Sequence, residues 1–197
     1  MSYLFGLLFV IICVIIIVYF NNSKNKSKSL ENETNFLDIL NQRKLQPDQI
    51  LFTDYNNSSN FLSVNEKQKK LCYGFIKDEQ INVNIFDFKD ILDFDVQVND
   101  ESKRKVSIGG AVVGAALAGG LGALIGSQSG NQVNKIKNIN FLITVNNISQ
   151  PTIKFLLLEP TMDGKGWDPD GIVVKNAIHK AETWSGVFNI IFNENKR

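Results

Sequence analysis

Ile91-Leu92-Asp93-Phe94-Asp95-Val96-Gln97-Val98-Asn99, residues 91–99, alternates apolar and polar side chains. Successive side chains of a strand point to opposite faces, so Leu92, Phe94, Val96 and Val98 share one side and Asp93, Asp95, Gln97 and Asn99 the other. That pattern predicts an antiparallel sheet with one packed and one wet face. Asp93 and Asp95 lie together on the wet face. Paired carboxylates with no visible pocket are weak evidence for catalysis, and a solvated strand face is the simpler reading.

Alternation continues on both sides. Leu71, Tyr73 and Phe75 predict one strand, and Ile81, Val83 and Ile85 another. Short strands are expected at 50–53 and 61–65, with the Asn-Asn-Ser-Ser-Asn run at 56–60 as the turn between them. Ile139, Phe141, Ile143 and Val145 alternate downstream, followed by Ile153, Phe155 and Leu157. The chain closes on Val174, Ala177, Ile178, Ala181, Trp184, Phe188 and Ile191, an apolar stripe at helical spacing over about 173–192. Gly186 weakens that helix by about 1 kcal/mol relative to alanine and is expected to mark a bend. Ahead of the strands, residues 21–35 are polar and read as a flexible linker. Thr34 is placed to cap a brief helix, Asn35 to Leu45, with a partial apolar face of Phe36, Leu37, Ile39 and Leu40, which Pro47 ends.

Two apolar segments stand out, one ahead of this β-rich region and one interrupting it. Residues 1–20 carry no charge, and fourteen of them are Leu, Ile, Val or Phe. On an insertion scale they favour the bilayer by about 4 to 8 kcal/mol, and about 20 helical residues cross its core. A cleaved signal peptide needs a basic start and a small-residue cleavage site, but no Lys or Arg precedes the apolar run and Val18-Tyr19-Phe20-Asn21 is a poor cleavage site. The expectation is an uncleaved anchor over 1–22. Lys24, Lys26 and Lys28 follow it, which places the C-terminal bulk in the cytoplasm. Cys13 lies in the anchor and Cys72 alone in the domain, so both read as small apolar residues.

The second segment, Ile108 to Gly126, is also uncharged and rich in glycine and alanine. Gly110, Gly114, Ala118, Gly122, Gly126 and Gly130 recur at every fourth residue, lining one helical face with small side chains. Such a face lets another helix approach backbone to backbone, the usual basis of helix pairing in lipid. A single crossing of 19 residues is about 28 Å long, just enough for a bilayer core, but would set the strands before and after it on opposite sides. A helical hairpin over 106–130, folding back at Gly119-Gly120, keeps both ends on one side. The basic groups Lys103, Arg104 and Lys105 before it, and Lys135 and Lys137 after it, flank a segment of this kind as they would flank a membrane-associated one.

Antiparallel strands closed by an amphipathic C-terminal helix form the element order of a pleckstrin-homology-like (PH-like) domain. Phe88-Lys89-Asp90-Ile91-Leu92-Asp93-Phe94, the run Gly109-Gly110-Ala111-Val112-Val113-Gly114 through Gly126, the strand Pro151-Thr152-Ile153-Lys154-Phe155 and the last helix together resemble bacterial membrane-anchored PH-like proteins carrying a glycine zipper. The resemblance covers about residues 50–192. It implies a mainly β domain over 49–192 with helices and a membrane link, and it transfers no catalytic residue. The loop 160–171 around Trp167 is longer than this pattern requires.

Several chemistries lack their residues. The glycine run has no Lys-Ser/Thr of a phosphate loop and no dinucleotide spacing. Asp163, Asp168 and Asp170 resemble a calcium loop, but residue 174 is valine where a glutamate would be needed. His179 is the only histidine, on the polar side of the last helix, and no Gly-x-Ser-x-Gly elbow accompanies it. The chain has 21 basic and 20 acidic residues, and without the three lysines after the anchor the rest is slightly acidic, unlike a nucleic-acid binder. The sequence predicts a non-enzymatic, cofactor-free protein whose partners are the membrane and other copies of itself. A pore assembled through the zipper is the alternative.

Overall fold

The computed structural model describes residues 12, 16, 27–55, 58–77, 80–107 and 135–195. Helix α1 covers 27–42. Eight strands follow: β1 (Gln49–Tyr55), β2 (Ser58–Asn65), β3 (Lys70–Lys77), β4 (Gln80–Asp87), β5 (Ile91–Val98), β6 (Glu101–Ser107), β7 (Ile139–Val145) and β8 (Thr152–Leu158), and then helix α2 (Ile172–Glu194). They form two antiparallel sheets, ordered β1-β2-β3-β4 and β6-β5-β7-β8. The mainly β, helix-closed architecture agrees with the PH-like expectation.

The main core lies between the sheets and under α2. Phe94, Phe141 and Phe155 from the second sheet are fully buried with Phe188 of α2, and Leu62, Leu71 and Phe86 of the first sheet belong to the same cluster. The Phe94 and Phe188 rings stack at 4.0 Å and 13°. Val174, Ala177, Ile178, Ala181, Trp184 and Ile191 are all buried, so the periodic stripe is the packed face of α2. The helix runs unbroken through Gly186. His179 is on the exposed side.

A second, smaller core covers the other face of the first sheet. Phe36, Leu40 and Leu45 pack there on Phe61 and Cys72, with Phe36 stacked on Phe61 at 4.5 Å. Cys72 is a buried apolar filler, and burial pushes its thiol pKa up. Gly74 permits this close approach: a Cβ there would lie 2.6 and 2.9 Å from two Phe36 ring carbons. Burying both faces of the sheet makes α1 part of the domain. The helix begins by residue 27, eight residues before the expected start at Asn35, and so takes up most of the expected linker. It ends before Leu45 and Pro47. Lys44 takes φ 58°, its N–H reaches the Asn41 carbonyl at 2.9 Å, and the Leu45 N–H reaches Leu40 O at 2.9 Å. That is a Schellman ending, sealed by the buried pair Leu40 and Leu45.

Strand β5 departs from its predicted faces in two ways. The register with β7 shifts between Ile91 and Asp93, so Leu92 is bulged out and exposed while Ile91 is fully buried. Asp95, expected on a wet face, is buried, whereas Asp93 and Gln97 are half-buried. The Asp95 carboxylate accepts from the Gln97 amide at 3.1 Å.

Candidate functional site at the base of the glycine segment

Gly110, Gly114, Ala118, Gly122, Gly126 and Gly130 lie outside the described residues, as do Lys24, Lys26 and all of the expected anchor except Ile12 and Ile16, which are helical and exposed. Among the described residues no helix is long and apolar enough to cross a membrane. Lys28 is exposed on α1. Lys103, Arg104 and Lys105 lie on β6, where Arg104 pairs with Val96 and Lys105 with Asp95 in the backbone register. The structure therefore describes the two places where the segment meets the domain.

The segment leaves from β6 and returns into β7, and β5 lies between them, paired to both. Ser107 is in register with Asp93 and Ile139 with Val98. Departure and return are thus offset by one strand length, about 17 Å at 3.4 Å per residue, and by two strand spacings, about 10 Å, across β5. Without β6, strands β5, β7 and β8 would form a plain meander. Strand β6 is the edge strand of this sheet and leads directly into the segment expected at 106–130.

The return point is clamped. Asn99 and Asp100 form a two-residue hairpin turn with φ 53° and 62°, the left-handed pair of a type I′ turn. The Asn99 side-chain oxygen accepts from Lys137 N–H at 2.7 Å, its amide donates to Lys135 O at 3.2 Å, and its backbone N–H donates to Asn138 O at 3.1 Å. Asp100 accepts from the Asn138 amide and from the Lys154 ammonium, each at 3.3 Å. On the other side Ile136 exchanges two backbone hydrogen bonds with Trp167, at 2.9 and 2.8 Å, and Lys135 pairs with Asp168 at 3.4 Å. The Trp167 indole donates to Glu159 O at 2.7 Å. The long 160–171 loop thus holds the exit of the glycine segment.

Asn138 and Lys154 hold the Asp100 carboxyl below its ordinary range, and the Asp170 N–H with Lys135 does the same for Asp168. A carboxyl whose folded pKa is lowered contributes stability above its unfolded pKa and loses it as pH falls through the folded value. The clamp is therefore expected to loosen on acidification below ~pH 4, near the ordinary carboxylate pKa. The amide NMR signals of residues 135–138 should report it, and Asp100→Asn should reduce that acid response.

Asp163, Asp168 and Asp170 do not converge on a metal. Asp163 accepts from Lys165 N–H at 3.1 Å and Asp168 from Asp170 N–H at 3.0 Å, as turn-forming side chains do. Among the described residues no group of His, Cys, Asp and Glu is arranged to hold a metal ion. Beside the clamp lies a groove of about 400 Å³ lined by Asn60, Asn138, Asn140, Lys154, Leu156 and Pro160. The Asn140 side chain is 1 % exposed, and its Oδ1 has no hydrogen-bond partner.

The family model for PH domains containing a glycine zipper matches residues 49–159, more than half of the chain. An immunity protein of Bacillus phage SPbeta is 30% identical over 129 residues, 62% of this chain and 64% of that protein. The SPbeta prophage-derived uncharacterized membrane protein YomJ of Bacillus subtilis (strain 168) is 30% identical over 129 residues, 62% of this chain and 56% of its own length. The chain thus spans less than two thirds of either relative. No solved structure matches it. With its two sheets, closing helix and inserted glycine segment, the chain belongs to the family of PH domains that contain a glycine zipper.

Proposed function

We propose that this protein is a membrane-tethered, non-enzymatic interaction module. Residues 1–20 embed it, the PH-like domain sits at the cytoplasmic face, and the glycine segment forms a helical hairpin that joins copies of the chain. The observation that carries this reading is the position of β5 between the strand the segment leaves and the strand it enters. Both ends of the segment are held in one sheet, about 20 Å apart. A single crossing would have to span a bilayer core of about 30 Å and part β5 from β7 along their whole length. That weighs against a pore built from single crossings and favours a hairpin.

The name of one relative supports the membrane association. One is called a membrane protein and the other an immunity protein. A stripe of small residues supplies the contact, since small side chains let two helices approach backbone to backbone. Replacing Gly114 and Gly122 with leucine fills that stripe with two bulky side chains. Crosslinking of the full chain in membranes is expected to capture oligomers of the parent and only monomers of Gly114→Leu/Gly122→Leu. Undiminished oligomers would remove the zipper from the account.

A further inference from the structure

Hydrogen bonds across the molecule bring four features to one end of the domain. The α1 residue Asn32 donates to Ser59 at 3.1 Å, next to the β1–β2 turn, so α1 starts there. Tyr55, the last residue of β1, donates to Leu157 O at 2.6 Å, joining that turn to the end of β8. The end of β8 leads into the 160–171 loop, which grips the returning glycine segment through Ile136 and Trp167. The N-terminus of α2 follows directly. The opposite end holds the C-terminus of α2, where Asn195 donates to Phe88 O at 2.7 Å and Glu194 pairs with Lys69. The two ends of this helix are about 35 Å apart.

The first end is also where the chain's apolar N-terminal stretch arrives. Six residues, 21–26, separate residues 1–20 from the described part of α1, a reach of at most about 20 Å. Apolar side chains stand unpacked there: Met162 is 100% exposed, Ile172 74% and Leu30 57%, with Val173 beside them. The charges around them are paired, Asp163 with Lys165, Asp168 with Lys135 and Asp170 with Lys175, so they present no net barrier to an apolar surface. The Asn140 groove lies at the same end, bordered by Pro160.

We propose that this end, tipped by Met162 and Ile172, is a lipid-docking face that rests on the bilayer holding residues 1–20. The proposal deepens the tethered-module reading and rests on it. It fixes which way up the domain sits: the 160–171 loop and the start of α2 meet the headgroups, and the end of α2 points away. Tethering makes docking effectively intramolecular, so a few shallow apolar contacts suffice where a free domain would need many.

Ile148, on the β7–β8 turn, provides a matched control, because it is as exposed as Met162 (101%) but lies at the other end, where Asn146 N–H meets Asp90 O. The experiment places an environment-sensitive fluorophore at Met162→Cys or at Ile148→Cys in the full chain with Cys13→Ser. The protein is reconstituted in vesicles of phosphatidylethanolamine and phosphatidylglycerol carrying a lipid-attached quencher. The expected result is blue-shifted, quenched emission at 162 and solvent-like, unquenched emission at 148. Equal quenching at both sites, neither site, or 148 alone overturns the proposal while leaving the tether intact. So does a blue shift at 162 without lipid quenching, which would mean that a second copy covers the loop. A chain that does not float with the vesicles overturns the tether and the docking face together.

Discussion

Deleting residues 1–22 is expected to release the chain from carbonate-washed membranes. The fourteen aliphatic and phenylalanine side chains of residues 1–20 favour insertion by about 4 to 8 kcal/mol. At about 1.4 kcal/mol per tenfold, their removal lowers partitioning by roughly a thousandfold or more. Nothing else in the chain offers a comparable hold. The glycine segment has seven Leu, Ile or Val residues in 108–126, contributing about 2 to 4 kcal/mol, and its seven glycines oppose the helix that insertion requires. The docking face lends only shallow contacts. Fractionation of residues 23–197 should therefore find them in the carbonate supernatant, whereas the full chain stays in the pellet. Retention after carbonate would mean that the glycine segment is itself embedded.

Phe188→Ala is expected to destabilise the domain by about 3 to 5 kcal/mol, the usual range for truncating a buried phenylalanine. Phe188 is fully buried and stacked on Phe94, and Trp184 and Phe192 flank it on the same helix at 6.3 Å. Phe94 in turn touches Phe141 at 4.9 Å, so the lost ring leaves a cavity between α2 and the middle of the second sheet. Those neighbours come from a sheet and a long helix, neither of which collapses easily onto the gap. Against a typical total of about 5 to 15 kcal/mol, such a loss is large. Chemical denaturation of the chain without residues 1–22 measures it. A midpoint within error of the parent would place the core elsewhere.

The sheets were largely legible because packing on one face imposes a period of two. The strands around Leu71–Phe75, Ile81–Ile85 and Ile139–Val145 lie where alternation puts them, and the stripe from Val174 to Ile191 marks α2 within a few residues. What was not legible depends on partners distant in sequence. The Leu92 bulge is set by pairing with β7, about fifty residues away. Strand β6, Glu-Ser-Lys-Arg-Lys-Val-Ser, has no apolar alternation and is held by its ladder to β5. Residues 27–34 look like a linker by composition, yet they belong to a helix whose later turns dock on the first sheet over Gly74.

The clamp was half visible. Asn99-Asp100 between an alternating run and a polar stretch is a type I′ hairpin signal, and it marks the end of β5 and the turn into β6. The roles of Ile136 and Trp167 had no local sign, since their partnership spans 31 positions and consists of backbone hydrogen bonds. Among the site residues named from sequence, the small-residue stripe, Lys24 and Lys26 lie outside the described residues, whereas Lys28, Lys103, Arg104, Lys105 and the domain's two attachment points to that stripe are within them.

The central claim is that the glycine segment leaves and re-enters one domain on one side of the membrane. Cysteines placed singly at Lys105 and Gly130 of the full chain, in sealed inverted membrane vesicles with a membrane-impermeant thiol reagent, test it directly. The account predicts that both are labelled from the same, cytoplasmic, side. Labelling of the two positions from opposite sides would contradict it.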